Sequence, residues 1–261
     1  MQTAVVEICI DSVASAEHAR QGGAQRVELC ANLHEGGVTP SAGMIKMVRQ
    51  AFPPPGQLMV LIRCRGGDFL YSPEELLVMQ EDIEVCSQLG ADGVVLGCLT
   101  ATGEVDSDAT ATLMRTALIK GLQVTFHRAF DLCRDMSAAL QQLVRLGVQR
   151  VLTSGGKPSA LAGAGMIAQL VGEAGHDIIV VAGGGLTEEN VEEVVRRSGV
   201  LEVHSTAKRA VFSKMAYKRV GMSLCSGQLP SDYAWGEAEG GRVAALLDAT
   251  QKAVAALPGH A

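Results

Sequence analysis

Short apolar segments alternate along the chain with longer segments of helical periodicity, at a spacing of about 20 to 35 residues. The apolar segments are rich in Val, Ile and Leu, which is typical of strands that are buried on both faces. Between two of them, Met79 and Ile83 share one helical face, and Ser72 followed by Pro73 is a signal for the start of a helix. The pattern predicts eight strands, at residues 4–9, 26–30, 58–63, 93–97, 123–127, 150–154, 178–182 and 201–205.

The order of these elements predicts an α/β fold, a (β/α)8 TIM-type barrel over residues 1–206. Three of the predicted strands follow a glycine that stops the preceding helix, which is a weak internal repeat. The alternative is an open doubly wound sheet, but such a sheet has helices on both faces and no interior for Glu7 and Glu28 on its first two strands. Residues 207–261 are predicted to be a linker and a C-terminal helix at 242–257, which packs on the barrel or on an oligomer partner.

The charge and hydropathy of the chain exclude several classes of partner. The 261 residues carry a formal net charge of -6 with no run rich in Lys or Arg, so we expect no nucleic-acid partner. No apolar run reaches the roughly 18 residues needed to span a bilayer, and residues 1–7 lack the basic region of a secretory signal. We therefore expect a soluble cytoplasmic protein with no membrane partner, and no motif indicates a nucleotide cofactor.

Seven cysteines are scattered along the chain without a CxxC pair, which is typical of a reducing compartment rather than of a disulfide framework. Zinc-finger spacing is absent as well. Cys9 and Cys30 belong to neighbouring predicted strands and share one face, so they are the best pair in the chain for a soft ion such as Cu(I). The alternative is that both are small core residues, the usual role of a buried cysteine.

Polar side chains stand near the C-terminal ends of several predicted strands, where the chemistry of barrel enzymes is located. Because strand side chains alternate between two faces, Glu7, Glu28, Arg63 and Arg65 are all predicted to face the barrel mouth. A buried carboxylate needs a partner, and Arg63 or Arg65 could supply one for Glu7 and Glu28. The set is either a structural layer of ion pairs or a ligand site.

One buried strand runs directly into His127, Arg128 and Asp131. His127 is a candidate general acid/base or metal ligand, oriented by Asp131 or Glu7. Alternatively, His127 is hydrogen-bonded to a neighbouring backbone group, and Arg128 and Asp131 form a local salt bridge. His204 is a weaker candidate, because polar residues directly after it offer local partners.

Glycine-rich loops follow the sixth and seventh predicted strands. Their backbone N–H groups lie near predicted helix starts and could hold a phosphate or another oxyanion. Glycine is also common in such loops for purely steric reasons, so both interpretations stay open. The candidate anion-binding residues are Ser154, Gly155 and Gly156 in the first loop and Gly183, Gly184 and Gly185 in the second.

These motifs together resemble the CutC copper homeostasis family. The resemblance extends to about residue 206 and implies a (β/α)8 barrel, a cytosolic setting, Cu(I) binding with copper tolerance, and an oligomer. One departure is Cys64, where the family usually has proline between two arginines; cysteine restores a backbone N–H and adds a thiol near the mouth. The matching motifs are EICIDS (7–12), GGA (22–24), VELC (27–30), GGVTPS (36–41), RCRGGDF (63–69), TFHRAFD (125–131), TSGG (153–156) and GGG (183–185).

Two functions compete, and whether the chain is an enzyme stays open. The first, which rests mainly on the resemblance, is a copper homeostasis protein that binds Cu(I) through Cys30 with Cys9 as helper. The second is a barrel enzyme of unassigned reaction that acts on a small anionic or phosphorylated metabolite. A scaffold that works through its oligomer surfaces is a third possibility. The catalytic candidates of the second function are Glu7, Glu28, Arg63, Arg65, His127 and Asp131.

Overall fold

The eight predicted strands form a closed parallel barrel in the computed structural model, which describes residues 4–219, 221–222 and 232–257. Neighbouring strands pair in chain order, and the last strand pairs with the first, so the barrel prediction is confirmed and the open sheet is excluded. The ends of the observed and predicted strands differ by at most two residues. The strands are β1 (Val5–Ile10), β2 (Arg26–Leu29), β3 (Gln57–Leu61), β4 (Gly93–Leu96), β5 (Gln123–Phe126), β6 (Arg150–Thr153), β7 (Ile179–Gly183) and β8 (Glu202–Ser205).

Helices follow the strands and cover the outer face of the barrel with their apolar sides. The helix predicted after Ser72 begins with a full capping box, in which the Ser72 hydroxyl accepts from the Glu75 N–H and the Glu75 carboxylate accepts from the Ser72 N–H. Short 3₁₀ helices at Leu33–Glu35 and Arg128–Leu132 lie in the loops after β2 and β5. The helices are α1 (Val13–Gln21), α2 (Ala42–Ala51), α3 (Pro73–Gln88), α4 (Ser107–Ile119), α5 (Met136–Leu146), α6 (Ala164–Ala174), α7 (Val191–Ser198) and α8 (Gly240–Ala255).

Two apolar cores result from the alternation of side chains along the strands. The larger one lies between the strands and the helices and contains residues such as Val6, Ile8 and Phe126. The smaller one lies on the opposite face of the strands, inside the barrel, and contains Cys9, Cys30, Met59, Leu61 and Val95. The two cysteines therefore lie in the barrel interior, at the strand ends where the chemistry of such barrels is found.

The C-terminal region contains a strand pair that the sequence did not predict. β9 (Lys208–Phe212) pairs antiparallel with β10 (Ala234–Ala238), and α8 follows directly. α8 contacts α1 and α7 and buries Val243 and Leu246, so it takes the place of the eighth helix around the barrel. In the described ranges, no helix is both long and apolar enough to cross a membrane.

Candidate functional site

The lower part of the barrel interior is an ion-pair network centred on Arg26. Its guanidinium donates to Glu7 from Nε and to Glu202 from Nη2, each at 2.5 Å. Arg150 donates to Glu202 at 3.1 Å and to Gln123 Oε1 at 2.5 Å. Burial acts to raise the pKa of Glu7, but the charges of Arg26, His204 and Arg150 and the hydrogen bond from Arg26 together outweigh it, and the pKa is lowered. Glu7 is therefore an ionised, paired carboxylate, and its closest partner is Arg26 rather than Arg63 or Arg65.

Above this network, the side chains of Cys9 and Cys30 meet. Their sulfur atoms are 3.8 Å apart, and both residues are buried. They face the apolar side chains of the smaller core, and the loop after β2 closes over them. In that loop Gly37 has φ +91°, and a Cβ atom there would lie 2.7 Å from Leu61 Cδ2 and 3.6 Å from Cys30 Sγ. Only glycine lets the loop pass this close to the thiols.

The two thiols are not equivalent. A hydrogen bond with Cys30 lowers the pKa of Cys9, against the opposing effect of burial. The same hydrogen bond, together with burial, raises the pKa of Cys30 well above its ordinary value. Cys9 is therefore the member of the pair that loses its proton more readily, and the thiolate is the form that binds metals and acts as a nucleophile.

His204 and Glu28 adjoin this thiol pair. The imidazole Nε2 of His204 lies 2.6 Å from Glu28 Oε2 and 3.8 Å from Glu7 Oε1. Burial opposes the charged form, but hydrogen bonds with Cys9 and Glu28 raise the pKa of His204 well above its ordinary value. The raised pKa favours the charged form of His204, which is the cation that faces Glu28 and Cys9.

Two groups of side chains in this region have the spacing of metal ligands. The ligand atoms of Cys9, Glu28 and Cys30 lie within 4.8 Å of one another, and so do those of Glu7, Glu28 and His204. The first group offers two sulfur atoms to a soft ion, and the second offers only oxygen and nitrogen. The structure therefore brings together the predicted pair Cys9 and Cys30 and adds Glu28 and His204 to it.

His127 lies elsewhere on the barrel mouth, at the end of β5, and is neutral. Its Nδ1 accepts from the Ala129 N–H at 3.2 Å, so the ring hydrogen is on Nε2. Burial, with a smaller effect of the Arg63 charge, lowers the pKa of His127 to about 3. The ring lies against Gly97, where a Cβ atom would be 2.6 Å away, and its centroid is 4.8 Å from that of Phe69. This is the backbone-bonded alternative, and neither Asp131 nor Glu7 orients the ring.

Asp131 instead binds the first glycine-rich loop. Its carboxylate accepts from the N–H groups of Ser154 and Gly156 and from the Thr153 hydroxyl at 2.5 Å. The same carboxylate pairs with Arg128 at 2.7 Å, which is the local salt bridge foreseen as an alternative. A carboxylate of this chain thus occupies the donors of Ser154 and Gly156, and anion binding there requires that Asp131 move.

The second glycine-rich loop lies beside Arg128. Gly184 has φ +104° and Gly185 φ +69°, and a Cβ atom on Gly184 would lie 3.4 Å from the Arg128 guanidinium carbon. Gly183 is the last residue of β7. Anion binding by Gly183, Gly184 and Gly185 stays a prediction.

The two arginines after β3 bind groups in the neighbouring loops and at the start of α3. Arg63 is buried and donates to the carbonyl oxygens of residues 35, 37 and 67, and its guanidinium lies 5.0 Å from the Phe69 ring. Arg65 binds Glu75 at 2.5 Å and Asp68 at 3.1 Å. Neither arginine pairs with Glu7 or Glu28 within the described ranges. The structure therefore does not place Arg65 at the thiol site. Cys64, between them, is half-buried, and burial raises the pKa of its thiol.

Sequence reasoning missed Arg26 and undervalued His204. Arg26 lies on the same face of β2 as Glu28 and Cys30, so the two-residue alternation that selected those residues also indicated Arg26. The partner of His204 has no such local signal, because Glu28 is 176 residues away and meets it only when β8 closes against β1.

Comparison with known sequences identifies the family. The sequence profile of the CutC family matches residues 4–209. The chain belongs to the CutC family. A family protein CutC of Bacteroides fragilis is 46% identical over 86% of this chain and 88% of its own length. The human protein named copper homeostasis protein cutC homolog is 44% identical over 88% of this chain and 82% of its own.

Solved structures agree with this assignment. The CutC structure from Streptococcus agalactiae has a TM-score of 0.74 and 35% identity, and the match covers 78% of this chain and 99% of that one. A KDPGal structure and the phosphoribosylanthranilate isomerase of Thermotoga maritima reach TM-scores of 0.58 and 0.57 at 17% and 13% identity, and thus share only the barrel fold. The CutC match covers all eight barrel strands and ends within β9.

Proposed function

We propose that this chain is a copper homeostasis protein that binds Cu(I) as its cargo through Cys9 and Cys30. The observation that carries the proposal is the 3.8 Å separation of the two sulfur atoms within an apolar shell. Human and mouse relatives of similar length have copper homeostasis in their names. Soft thiolate ligands select Cu(I) over the hard divalent ions, which prefer oxygen.

The donor set fits the ion. The Cys9 pKa is lowered by the hydrogen bond with Cys30, which makes the thiolate that a metal ion needs easier to form at Cys9. Cys30 would release its proton on binding, and the carboxylate of Glu28, which lies within 4.8 Å of both sulfur atoms, would be the nearest oxygen. The apolar neighbours Met59, Leu61 and Val95 keep water from the two thiols, which protects a soft, oxidisable site.

An anaerobic Cu(I) titration against a competing chelator tests this proposal. Cys9→Ser and Cys30→Ser should each weaken Cu(I) binding by more than about a hundredfold. Loss of a residue that only supports a metal ligand lowers metal affinity by up to about a hundredfold, and loss of the ligand itself should lower it more. Cys64→Ser is the matched control, because Cys64 is a more accessible thiol outside the smaller core. Equal weakening in all three variants, or none in Cys30→Ser, would remove the assignment.

We also propose a cytoplasmic location. Six cysteines lie in residues 4–219, and all six are free thiols. Free thiols, including the half-buried Cys64, persist in a reducing compartment. A fluorescent fusion of the full chain, imaged in cells and checked by fractionation, tests the location; recovery from a secreted or membrane fraction would contradict it.

A second candidate function is an enzyme that acts on a small anionic metabolite at the barrel mouth. Seven buried side-chain polar atoms lack a hydrogen-bond partner in the described residues, and the observation that favours this function is that three of them, His127 Nε2, Thr125 Oγ1 and Arg63 Nε, belong to residues at or near the ends of β5 and β3. Such atoms are costly unless a ligand or water satisfies them. Because two of these three atoms are N–H donors and Arg63 is cationic, an anionic ligand suits the site.

Thermal-shift screening of phosphorylated metabolites tests the second candidate. A ligand of this site should raise the melting temperature of the wild type and not that of His127→Ala. His176→Ala is the control, because His176 is exposed and lies in the loop between α6 and β7. If no metabolite stabilises the wild type in a way that requires His127, the enzyme hypothesis is contradicted. The copper proposal does not depend on this result.

A further inference from the structure

Glu7, Glu28 and His204 form a group of oxygen and nitrogen atoms beside the two thiols. The His204 Nε2 atom lies 2.6 Å from Glu28 Oε2 and 3.8 Å from Glu7 Oε1. The ligand atoms of the group all lie within 4.8 Å of one another. Each residue belongs to a different strand, β1, β2 or β8, and β1 pairs with both of the others. Strands of a closed barrel hold side chains in fixed positions, which favours a preformed site.

The two carboxylates of this group have few hydrogen-bond donors. Glu28 is 4% exposed, and its carboxylate forms one hydrogen bond within the described ranges, with His204. Glu7 is 2% exposed, and its Oε2 accepts from Arg26, whereas its Oε1 accepts no hydrogen bond in the part of the chain that the structure describes. An ionised carboxylate has about four acceptor positions. Both side chains therefore have acceptor positions available for a cation.

The charges around the group also leave a place for a cation. The network contains three carboxylates and two guanidinium groups, which belong to Glu7, Glu28, Glu202, Arg26 and Arg150. One negative charge remains, and His204 faces it from between Glu7 and Glu28. A metal ion that takes the place of the His204 proton would balance the same carboxylates.

The separations and the donor types fit a divalent transition-metal ion. Zn²⁺ holds oxygen and nitrogen ligands at about 2.0–2.2 Å in a tetrahedron, which places the ligand atoms roughly 3.3–3.6 Å apart. The distances of 2.6 Å and 3.8 Å from His204 Nε2 lie on either side of this range, so small side-chain shifts complete the geometry. Imidazole and carboxylate ligands suit zinc and its neighbours, whereas Cu(I) prefers sulfur. Three protein ligands leave a fourth position for water, and His204, at 12% side-chain exposure, is the most accessible of the three.

We propose that Glu7, Glu28 and His204 bind a divalent transition-metal ion such as Zn²⁺, in a site distinct from the pair of Cys9 and Cys30. One oxygen of each carboxylate and Nε2 of His204 are the ligands, and the Nε2 proton leaves to solvent when the ion binds. Glu28 also belongs to the group that contains both thiols, so its carboxylate adjoins both metal positions. The site does not depend on the copper proposal, because neither sulfur atom is among its ligands.

Anaerobic titration of the full chain with Co²⁺, a coloured substitute for Zn²⁺, tests this site. The wild type should bind one equivalent without the near-ultraviolet band of a cobalt–thiolate bond, and Cys9→Ser/Cys30→Ser should bind it equally well. His204→Gln and Glu28→Gln should each weaken binding at least about tenfold, which is the least that loss of a residue supporting a metal ligand costs. Gln at position 204 keeps a hydrogen-bond donor for Glu28, which helps this variant to fold.

The controls separate this site from other histidines and from the thiols. His176→Gln should bind Co²⁺ like the wild type, because His176 is exposed in the loop between α6 and β7. Circular dichroism verifies that each variant is folded, and displacement of Co²⁺ by Zn²⁺ verifies that both ions share the site. A wild type that binds no Co²⁺, a thiolate band, loss of binding in the double serine variant, or wild-type affinity in His204→Gln or Glu28→Gln would each overturn the proposal. Cu(I) binding by the serine variants is measured separately, so failure of one proposal is distinguishable from failure of the other.

Discussion

Two histidines, the buried His127 and the half-buried His204, face the interior of the same barrel and have opposite charge states. His127 on the β5 side lies between Gly97 and Phe69, and burial lowers its pKa to about 3. His204 on β8 lies 2.6 Å from Glu28 and beside Cys9, and its pKa is raised. Burial is common to both, so the acidic neighbours of His204 decide the difference. The charged imidazole is therefore on the side of the barrel where the thiols are.

The largest loss of unfolding free energy is expected at Arg26, in the ion-pair network next to His204. Arg26→Met removes the guanidinium that holds Glu7 and Glu202, and breaking a buried pair in this way costs about 3–5 kcal/mol of unfolding free energy. Urea unfolding at pH 7 measures it. Arg134→Met is the control, because Arg134 and Glu104 form an exposed pair worth less than about 1 kcal/mol. A small loss at Arg26 would mean that the carboxylates find other partners.

Substitution of each histidine by leucine tests the difference in charge state directly. His204→Leu leaves Glu28 without the cation that it faces, at a cost of about 3 kcal/mol or more. His127→Leu removes a neutral ring and leaves only the Ala129 N–H unpaired, at a cost of about 1–2 kcal/mol. Denaturant unfolding at pH 6 compares the two variants; a greater loss at His127 would contradict the assigned charge states.

The two histidines also predict opposite pH dependence. With a folded pKa of about 3, His127 contributes fully only above the unfolded pKa near 6.5, and about 2 kcal/mol of that contribution is lost as the pH falls from 6.5 to 5. The pKa of His204 is raised, so its contribution is complete below pH 6.5 and is lost as the pH rises through the folded pKa. Relative to wild type, His127→Leu should therefore gain stability in acid, and the cost of His204→Leu should shrink in alkali.

A smaller and more local effect is expected at Glu28. Glu28→Gln keeps the shape of the side chain and removes the charge that faces His204. The pKa of His204 should fall, because the charge of Glu28 is one of the causes that raise it, and the imidazole nitrogen shifts measure this by NMR, while the pKa of His127 stays unchanged. A His204 pKa that does not move would show that Cys9, and not Glu28, raises it.

The strand positions were predictable, because parallel strands buried on both faces appear in the sequence as short apolar runs between glycine and helical signals. Cys9 and Cys30 were predictable as a pair for the same reason, since they share one face of adjacent strands. The β9–β10 strand pair was not, because KRAVF and AWGEA have weak alternation and become strands only by pairing with each other across 21 intervening residues. The hydrogen bonds that Asp131 accepts from the Ser154 loop were not predictable either, because they depend on the backbone geometry of the loop, which no residue pattern encodes.

The pairing of β1 with β8 has a consequence for biosynthesis. Cys9, Glu28 and Cys30 are close together in the sequence, whereas His204 is translated 176 residues after Glu28. A nascent chain on the ribosome therefore carries both thiols long before it carries the cation that balances their surroundings. Since β1 acquires its second neighbour only when β8 arrives, the thiol site is completed only after β8 has been synthesised, and under the proposed copper function metal loading is expected to follow that step.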